Sequence, residues 1–281
     1  MSVLQEIVVQ KKKEVEILSQ SFSVDQVKGL ALKGELSPRG FVKSVLSTDF
    51  PAIISEIKRA SPSKGMFSIN LDPVETAFGY QGAGAAAISV LTDVEFFHGE
   101  LSYLAKIRQA GVSLPLLRKD FLIDEIQVWE SRLAGADAVL LIVAILTDEQ
   151  LRNLLAVSLE ASLDVLLEVH TEQELERAVA LLSAFENPRL GDSVLLGINN
   201  RDLNSFETDI AVTKRLVAAL GDKIDLEVVS ESGLKTAKDL IELKSSGVKS
   251  FLIGESLIVT GECDRALASL IESSREECRN V

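Results

Sequence analysis

The sequence predicts an α/β protein: a (β/α)8 barrel preceded by an N-terminal helical extension. Short runs of Leu and β-branched residues recur eight times along the 281-residue chain, and each run is followed by a longer stretch with helix signals. The runs are mostly apolar, as expected for parallel strands that are covered on both faces. A barrel of this type has about 250 residues. We therefore assign residues 49–281 to the barrel and residues 1–48 to the extension.

The extension is expected to be helical and to pack on the barrel. One apolar face is formed by Leu4, Ile7, Val8, Val15 and Leu18. A second helix is predicted over Ser23–Lys33. The segment is too short to fold alone, and the mouth of the barrel is one place where it can pack. The lysine run 11–13 is interpreted as a solvated helix face, with a small anionic contact as the alternative.

The eight predicted strands begin 24 to 34 residues apart, which leaves room for one helix between consecutive strands. They are Ala52–Glu56, Ala86–Leu91, Leu114–Leu117, Ala138–Val143, Val165–Val169, Val194–Ile198, Leu226–Val229 and Phe251–Ile253. A doubly wound open sheet is the competing architecture, because it also alternates strands and helices but binds its ligand at a switch point. A leucine-rich solenoid is disfavoured, since the spacing varies and no short consensus repeats.

Helix signals occupy the stretches between the strands. Thr147 with Gln150, and Thr171 with Glu174, fit the capping box of a helix N-terminus. Downstream of Thr147, one helix face is apolar; it consists of Leu151, Leu154, Leu155 and Leu159. Four glycines fall near predicted helix ends, where a left-handed residue is often needed; they are Gly111, Gly135, Gly221 and Gly247.

Composition excludes several classes of protein. The chain has 29 Lys and Arg against 42 Asp and Glu, so 29 − 42 gives a net charge of −13, and we expect no nucleic-acid partner. The apolar stretch Ala138–Leu146 is far too short for a membrane span, and the N-terminus lacks a signal sequence, so no membrane partner is expected. Cys263 and Cys278 are too few for a disulfide framework, which favours a reducing, cytoplasmic location.

Polar side chains end six of the eight predicted strands. In a barrel of this type the carboxyl ends of the strands surround the active site, and a charge in that buried layer is costly unless it is paired or functional. The side chains in question include Glu56, Lys58, Lys119, Glu168, Asn199, Arg201, Glu231 and Glu255. An ion-pair network without catalysis is the alternative. Because polar side chains recur at strand ends around the ring, we interpret residues 49–281 as a catalytic domain.

Lysine and glutamate side chains indicate acid–base chemistry. Glu56 and Lys58 lie two apart and therefore share one face of a strand. A buried lysine can act as an acid or stabilise charge, and a buried glutamate can act as a base. His170 shares a face with Glu168 if the strand continues, although a solvent-exposed rim histidine is the alternative. His98 is a lone loop residue, and we predict no metal site.

The loops after the seventh and eighth strands are predicted to bind a phosphate group, as they do in many barrels. Ser232-Gly233 and Gly254-Glu255 close these strands, and Ser61 can add a hydroxyl from the first loop. We expect the backbone N–H of Glu255 to point towards the anion and its carboxylate to point away. Ordinary turn residues are the alternative.

Six segments resemble, in order, motifs of the indole-3-glycerol phosphate synthase family. They are SEIKRASPSKG (55–65), AISVLTD (87–93), LRKDF (117–121), GADAVLLI (135–142), GINNRDL (197–203) and SESG (230–233). The likeness extends from about residue 50 to about residue 258. It implies a lyase of tryptophan biosynthesis that uses no metal or organic cofactor. The anionic small-molecule substrate would be 1-(2-carboxyphenylamino)-1-deoxyribulose 5-phosphate, converted to indole-3-glycerol phosphate, carbon dioxide and water.

The resemblance also implies roles for individual residues. Lys119 would be the general acid that protonates the ketone oxygen, Glu168 the base that assists loss of water, and Lys58 the ligand of the substrate carboxylate. Sugar hydroxyls would be held by Glu56, Asn199 and Glu231. The phosphate site would consist of Ser61, Ser232, Gly233, Gly254 and Glu255. The apolar pocket for the anthranilate ring would consist of Pro62, Phe97, Leu140, Leu203 and Ile253. Arg201 is expected to converge with Lys58 and Lys119, giving an acidic protein a positive pocket.

Three departures from the family pattern concern loops. Glu125 lies where the family commonly has proline, His98 replaces an amide or lysine, and the stretch at Thr260 lacks a frequent arginine. A related barrel enzyme, phosphoribosylanthranilate isomerase, is disfavoured because it needs a cysteine base in the first strand. An inactive binding module is disfavoured because the implied acid and base are both present. We expect a monomer or a weak homodimer.

Overall fold

The computed structural model describes residues 2–34, 36–62, 64–67, 71–202 and 207–279. Eight parallel strands form a closed barrel. They are β1 (Ala52–Ile57), β2 (Ala87–Leu91), β3 (Leu116–Lys119), β4 (Ala138–Ile142), β5 (Asp164–Val169), β6 (Val194–Asn199), β7 (Val228–Glu231) and β8 (Ser250–Ile253). β1 closes the ring by pairing with both β2 and β8. The predicted (β/α)8 TIM barrel is confirmed, and the open-sheet alternative is wrong.

The first helices of the chain precede β1, and those that follow the strands form the outer layer. They are α1 (Val3–Ser21), α2 (Val24–Lys33), α3 (Phe41–Ser47), α4 (Pro73–Gly82), α5 (Ser102–Gln109), α6 (Glu125–Ala134), α7 (Asp148–Glu160), α8 (Glu172–Ser183), α9 (Leu190–Ser193), α10 (Ala211–Leu220), α11 (Ala237–Lys244), α12 (Glu255–Ile258) and α13 (Cys263–Arg279). A 3₁₀ turn over Val143–Ile145 follows β4. A small antiparallel hairpin, Ala60–Ser61 with Gly65–Met66, follows β1.

The two predicted capping boxes differ in outcome. At α7, Thr147 accepts a hydrogen bond from the backbone of Gln150, whose side chain accepts one in return, so the box is complete. At α8, Thr171 caps the helix, but the Glu174 carboxylate accepts from the backbone N–H of His170 instead. The Glu174 side chain therefore binds the backbone at the end of β5 and does not complete the capping box.

The predictions place the third and seventh strands two residues too early, whereas the other six agree within one residue at each end. β3 ends at Lys119, which pairs with Leu91, and β7 ends at Glu231, which lies opposite Asn199. Charged residues such as Lys119 and Glu231 are typical of loops, which is why the predicted strands exclude them. The hydrogen bonds of a sheet involve only the backbone, so charged side chains do not end a strand. Lys119 and Glu231 are consequently strand residues, held more rigidly than loop residues would be.

The N-terminal helices reach both ends of the barrel. α3 lies at the floor, where Phe41 and Val42 are fully buried and the Val42 N–H donates to Asp164 Oδ2 at the start of β5, 2.9 Å away. α2 packs along α6 on the outside. α1 lies at the opposite end, and its buried Ile7 faces the mouth. The three helices thus contact the barrel at its floor, along its outer surface and at its mouth.

Two apolar cores support this arrangement. One fills the layer between the strands and the outer helices. The other fills the barrel interior and includes Ile54, Leu117, Leu140, Leu166, Leu195, Val229 and Leu252. Because the interior is packed with side chains, chemistry is confined to the open carboxyl ends of the strands. Within the described ranges, no helix is long and apolar enough to cross a membrane.

Candidate active site

A cavity of about 890 Å³ opens at the carboxyl ends of the strands. Every strand of the barrel contributes to its wall. The contributing side chains include Glu56, Leu91, Lys119, Leu140, Glu168, Asn199, Glu231 and Ile253. The polar residues predicted from the strand ends thus converge on one space, and all six side chains implied to be catalytic line it once Lys58 is included.

Lys119 occupies the centre of the polar wall. Its ammonium nitrogen lies 3.2 Å from Glu231 Oε2 and 3.5 Å from Glu168 Oε2. Burial disfavours the ammonium form, but the charges of Glu231, Glu168 and Glu56 outweigh burial and raise the pKa of Lys119. Lys119 therefore carries a positive charge in the wall of the cavity.

Lys58 forms a second acid–base pair with Glu56. The Lys58 ammonium lies 2.8 Å from Glu56 Oε2, which confirms that the two side chains share a face. It also lies 5.5 Å from the centre of the Phe67 ring. Burial would raise the pKa of Glu56, but the nearby Lys58, Lys119 and Arg201 lower it, so the pair is ionic.

Glu168 and Glu231 share Lys119 but differ in protonation. Burial raises the pKa of Glu231, and the neighbouring Glu168 charge adds to the increase. For Glu168 the effect of burial is overcome by the charges of Lys119 and His170, and its pKa is lowered. Two carboxyl groups whose pKa values are driven apart can act as acid and base at the same pH. Glu168 is the one that remains ionised.

His170 lies behind Glu168, and its relative exposure of 9% makes the solvent-exposed rim alternative wrong. Its Nε2 is 3.2 Å from Glu168 Oε1, and its Nδ1 is 3.0 Å from Glu174 Oε2. Burial opposes protonation of His170, but the two carboxylates raise its pKa to about 10. The imidazolium orients the carboxylate of Glu168, and the redirected side chain of Glu174 holds the imidazolium.

Two glycines, one within β6 and one directly after β8, make room for buried carboxylates. A Cβ atom at Gly197 would lie 2.4 Å from Glu231 Oε1, and one at Gly254 would lie 2.6 Å from Glu56 Oε2 and 2.8 Å from Glu56 Cβ. Gly254 also belongs to the phosphate site predicted from the sequence. The structure adds a different requirement, because this glycine leaves space for Glu56.

The predicted phosphate loops form one side of the cavity. Ser232, Gly233, Gly254 and Glu255 all line it. Ser232 and Gly233 have φ values of 67° and 78°, a pair of left-handed residues that turns the chain directly after β7. Ser61 lies in the small hairpin, opposite Gly65, and is absent from the described cavity wall.

The Glu255 carboxylate pairs with cations of neighbouring loops. It lies 2.5 Å from the Lys64 ammonium and 3.3 Å from an Arg201 nitrogen. Burial disfavours the carboxylate, but Lys64 and the other nearby cations lower its pKa. The attraction of two cations is the physical reason for this orientation.

Part of the cavity wall is apolar. Four of the predicted pocket residues line it: Pro62, Phe97, Leu140 and Ile253. Leu203 lies outside the described residues. Phe121 also lines this wall, with its ring centre 5.9 Å from that of Phe97.

The cavity also includes residues that the sequence patterns do not predict. Helix α1 contributes Val3, Leu4 and Ile7, and the loops contribute Lys64, Asp120, Thr208 and Lys235. Asp120 and Lys64 lie within the quoted motifs and could have been found there. The α1 residues could not, because no local pattern shows which part of a barrel an amphipathic helix covers.

The departures from the family pattern have local structural roles. Glu125 is the first residue of α6, where Asp124 and Gln127 form a complete capping box. His98 adopts φ 51° next to Gly99, whose missing side chain is required because a Cβ would lie 2.2 Å from the Leu91 carbonyl oxygen. The Thr260 hydroxyl donates to the Leu257 carbonyl, 2.7 Å away. None of these roles alters the polar wall.

Within the described ranges, no group of three or more His, Cys, Asp or Glu side chains has the arrangement of a metal site. Ionic Lys and Glu pairs beside an apolar wall define the site. The fold and this site place the protein in the class of (β/α)8-barrel enzymes.

Comparison with known proteins gives the family. Residues 4–270 match the family model of indole-3-glycerol phosphate synthase. The indole-3-glycerol phosphate synthase of Desulfotalea psychrophila is 44% identical over 95% of this chain and 98% of its own length. That of Legionella pneumophila is 40% identical over 96% and 98%, respectively. This chain belongs to the indole-3-glycerol phosphate synthase family.

Solved structures show the same fold at much lower sequence identity. A mandelate oxidase structure is 17% identical, with a TM-score of 0.57 over 82% of this chain and 73% of the oxidase chain. A structure titled "Native KDPGal structure" is 14% identical, with a TM-score of 0.56. At such identities the likeness concerns the barrel alone.

Proposed function

We propose that this protein is an indole-3-glycerol phosphate synthase, a carboxy-lyase of tryptophan biosynthesis. It closes the pyrrole ring of 1-(2-carboxyphenylamino)-1-deoxyribulose 5-phosphate, with loss of carbon dioxide and water. One observation carries the proposal: Lys119 is charged and buried between Glu168 and Glu231, beside the Lys58–Glu56 pair and an apolar wall.

Lys119 acts as the general acid of ring closure. The aromatic carbon that bears the carboxylate attacks the ketone carbon, and the carbon–oxygen π bond breaks towards oxygen. Negative charge develops on that oxygen, and the Lys119 ammonium donates a proton to it. A charged donor that is already oriented stabilises this transition state strongly.

Lys58 binds the substrate carboxylate until carbon dioxide leaves. Ring closure leaves the aromatic system cationic, and cleavage of the carbon–carboxylate bond returns an electron pair to the ring. The ring packs between Phe97, Leu140 and the other apolar residues of the wall. Few water molecules solvate the carboxylate there, which assists its loss.

Glu168 acts as the base in the final dehydration. It removes a proton from carbon while the new hydroxyl group leaves as water after receiving a second proton. Two protons are donated and one is removed, so each turnover consumes one proton, as required when a carboxylate leaves as neutral carbon dioxide. Glu56, Asn199 and Glu231 hold the sugar hydroxyls through their oxygen atoms.

The substrate phosphate binds at the loops after β7 and β8. Backbone N–H groups at Ser232, Gly233, Gly254 and Glu255 donate to it, and Ser61 adds a hydroxyl. Lys64 and Lys235 line this side and supply positive charge. Arg201 completes a local positive field in a protein whose net charge is −13.

Incubation of the protein with this substrate tests the proposal. We expect the fluorescence of the indole product to rise, and we expect Lys119→Met to lower turnover by orders of magnitude while circular dichroism remains unchanged. An absence of product with the unaltered protein would contradict the proposed function. Near-normal turnover in Lys119→Met would show that the acid is another group.

The same proposal includes a cytoplasmic location and a monomer or weak homodimer. Cys263 and Cys278 are free and partly buried, which suits a reducing compartment. Light scattering across a range of protein concentrations tests the assembly. A stable tetramer would contradict it.

A further inference from the structure

Lys11 of α1 is buried, although its neighbours in the lysine run are exposed. Its relative exposure is 2%, whereas Lys12 and Lys13 are exposed. The interpretation of the whole run as a solvated face is therefore wrong for Lys11. Burying an ammonium group is costly unless carboxylates surround it.

Three carboxylates surround the Lys11 ammonium. Its nitrogen lies 2.8 Å from Glu14 Oε2 on the same helix, 2.8 Å from Asp93 Oδ2 and 2.9 Å from Asp120 Oδ1. Burial opposes the charge, but Asp120 and Asp93 outweigh it and raise the pKa of Lys11. Both aspartates belong to the barrel, so one lysine joins the extension to two different loops.

Asp93 shapes the loop after β2. Its Oδ1 accepts hydrogen bonds from the backbone N–H groups of Phe96, at 2.7 Å, and Phe97, at 3.1 Å. Phe97 belongs to the apolar wall of the cavity. Lys11 therefore contacts the carboxylate that fixes the backbone of this wall.

Asp120 directly follows Lys119. Its Oδ2 accepts from the Thr92 hydroxyl at 2.5 Å and pairs with Arg118 at 3.1 Å, and its Oδ1 accepts from the Phe121 N–H at 2.8 Å. The Asp120 carboxylate, which Lys11 contacts, therefore fixes the backbone just after Lys119.

We propose that Lys11 is a positioning residue for the reaction: through Asp93 and Asp120 it fixes both the Lys119 backbone and the Phe97–Phe121 wall. The role rests on the proposed function. A displacement of about 1 Å at a reacting group costs about a hundredfold in rate. The alternative is a structural anchor, which contributes to stability and leaves the chemistry of the folded enzyme unchanged.

Lys11→Met tests this role, with Lys12→Met and Lys13→Met as matched controls from the same helix. Each variant is assayed well below its own melting temperature, and kcat and KM are determined separately. We expect kcat of Lys11→Met to fall by about 10- to 100-fold. We expect KM to change less than kcat, and both control variants to stay within about twofold of the unaltered enzyme in kcat. Lys11→Arg, which keeps the charge, should recover part of the loss.

A lower melting temperature with kcat within about twofold of Lys12→Met would overturn the inference and leave a purely structural anchor. If Lys11→Met does not fold, Asp93→Asn takes its place, because asparagine still accepts from the loop N–H groups but loses the charge. An unchanged kcat in folded Asp93→Asn would equally overturn the inference. An unaltered protein without turnover would overturn the proposed function and this role with it, whereas turnover that is insensitive to Lys11 overturns only the role.

Discussion

At the scale of single residues, the site depends on a small number of buried charges whose protonation is set by their neighbours. Lys119 remains charged because carboxylates lie against it, and Lys58 lies 2.8 Å from Glu56 Oε2. Glu168 and Glu231 have the same chemistry in isolation, yet burial and the charge of Glu168 raise the pKa of Glu231, whereas the charges of Lys119 and His170 lower the pKa of Glu168 despite its burial.

This difference predicts unequal effects of two isosteric substitutions. Glu168→Gln removes an ionised base, so we expect kcat to fall by at least a hundredfold, within the usual contribution of general base catalysis. Glu231→Gln introduces a neutral amide in place of a carboxyl group whose pKa is raised. We therefore expect its loss of kcat to be about tenfold smaller than that of Glu168→Gln. Steady-state kinetics of the two variants at pH 7 measure this directly. Equal losses would contradict the assignment of the base.

At the scale of elements, strand ends position the side chains more than loops do. Lys119, Glu168, Asn199 and Glu231 lie in strands, so the barrel ladder fixes their backbones. Each polar side chain entering the barrel needs space, and a neighbouring glycine provides it for Glu56 and Glu231. The sequence of a strand end is thus constrained by the strand beside it.

Gly254→Ala tests this constraint. A Cβ at this position would lie 2.8 Å from Glu56 Cβ, which is too close for the tip of a side chain alone to yield, so Glu56 and its partner Lys58 must move. We expect kcat/KM to fall by at least tenfold, because positioning errors below 1 Å are costly. Gly29→Ala, in the open middle of α2, is the control and should keep full activity. Full activity in Gly254→Ala would show that Glu56 adapts freely.

At the scale of the whole molecule, the extension and the barrel form one structure. α3 closes the floor through Asp164, α2 covers α6, and α1 reaches the mouth through Lys11. The same carboxylates that organise the site therefore also join the two parts of the chain, and global stability depends on their ionisation.

The ionisation of Asp120, one of these carboxylates, predicts a loss of stability in acid. Burial would raise the pKa of Asp120, but Arg118 and Lys11 lower it to about 2, from an unfolded value near 3.8. A lowered pKa stabilises the folded state above pH 3.8, and this stabilisation disappears as the pH falls through 2. The difference corresponds to about 2 kcal/mol.

We therefore expect the free energy of unfolding to decrease between pH 4 and pH 2, and to decrease less steeply in Asp120→Asn, which lacks the titrating group. Denaturant titrations at several pH values measure both slopes. Identical slopes in the two proteins would show that Asp120 does not contribute to acid unfolding.

The sequence by itself determined the barrel and most of the residues around its mouth. Apolar strand runs need cover on both faces, and eight of them with helices between can be satisfied by a closed ring. Polar residues at the ends of such strands converge without further information, which is why Lys119, Glu168 and Glu231 could be found from the pattern alone.

Only the tertiary structure decided how those residues are charged and what supports them. The orientation of Glu255, the burial of Lys11 and the link from Glu174 to Glu168 through His170 all depend on partners that are distant in sequence or on another element. Local patterns report periodicity and turn preference. Charge pairing depends on three-dimensional distance. The fold therefore determines whether a lysine in a polar run is solvated or is buried among carboxylates beside the active site.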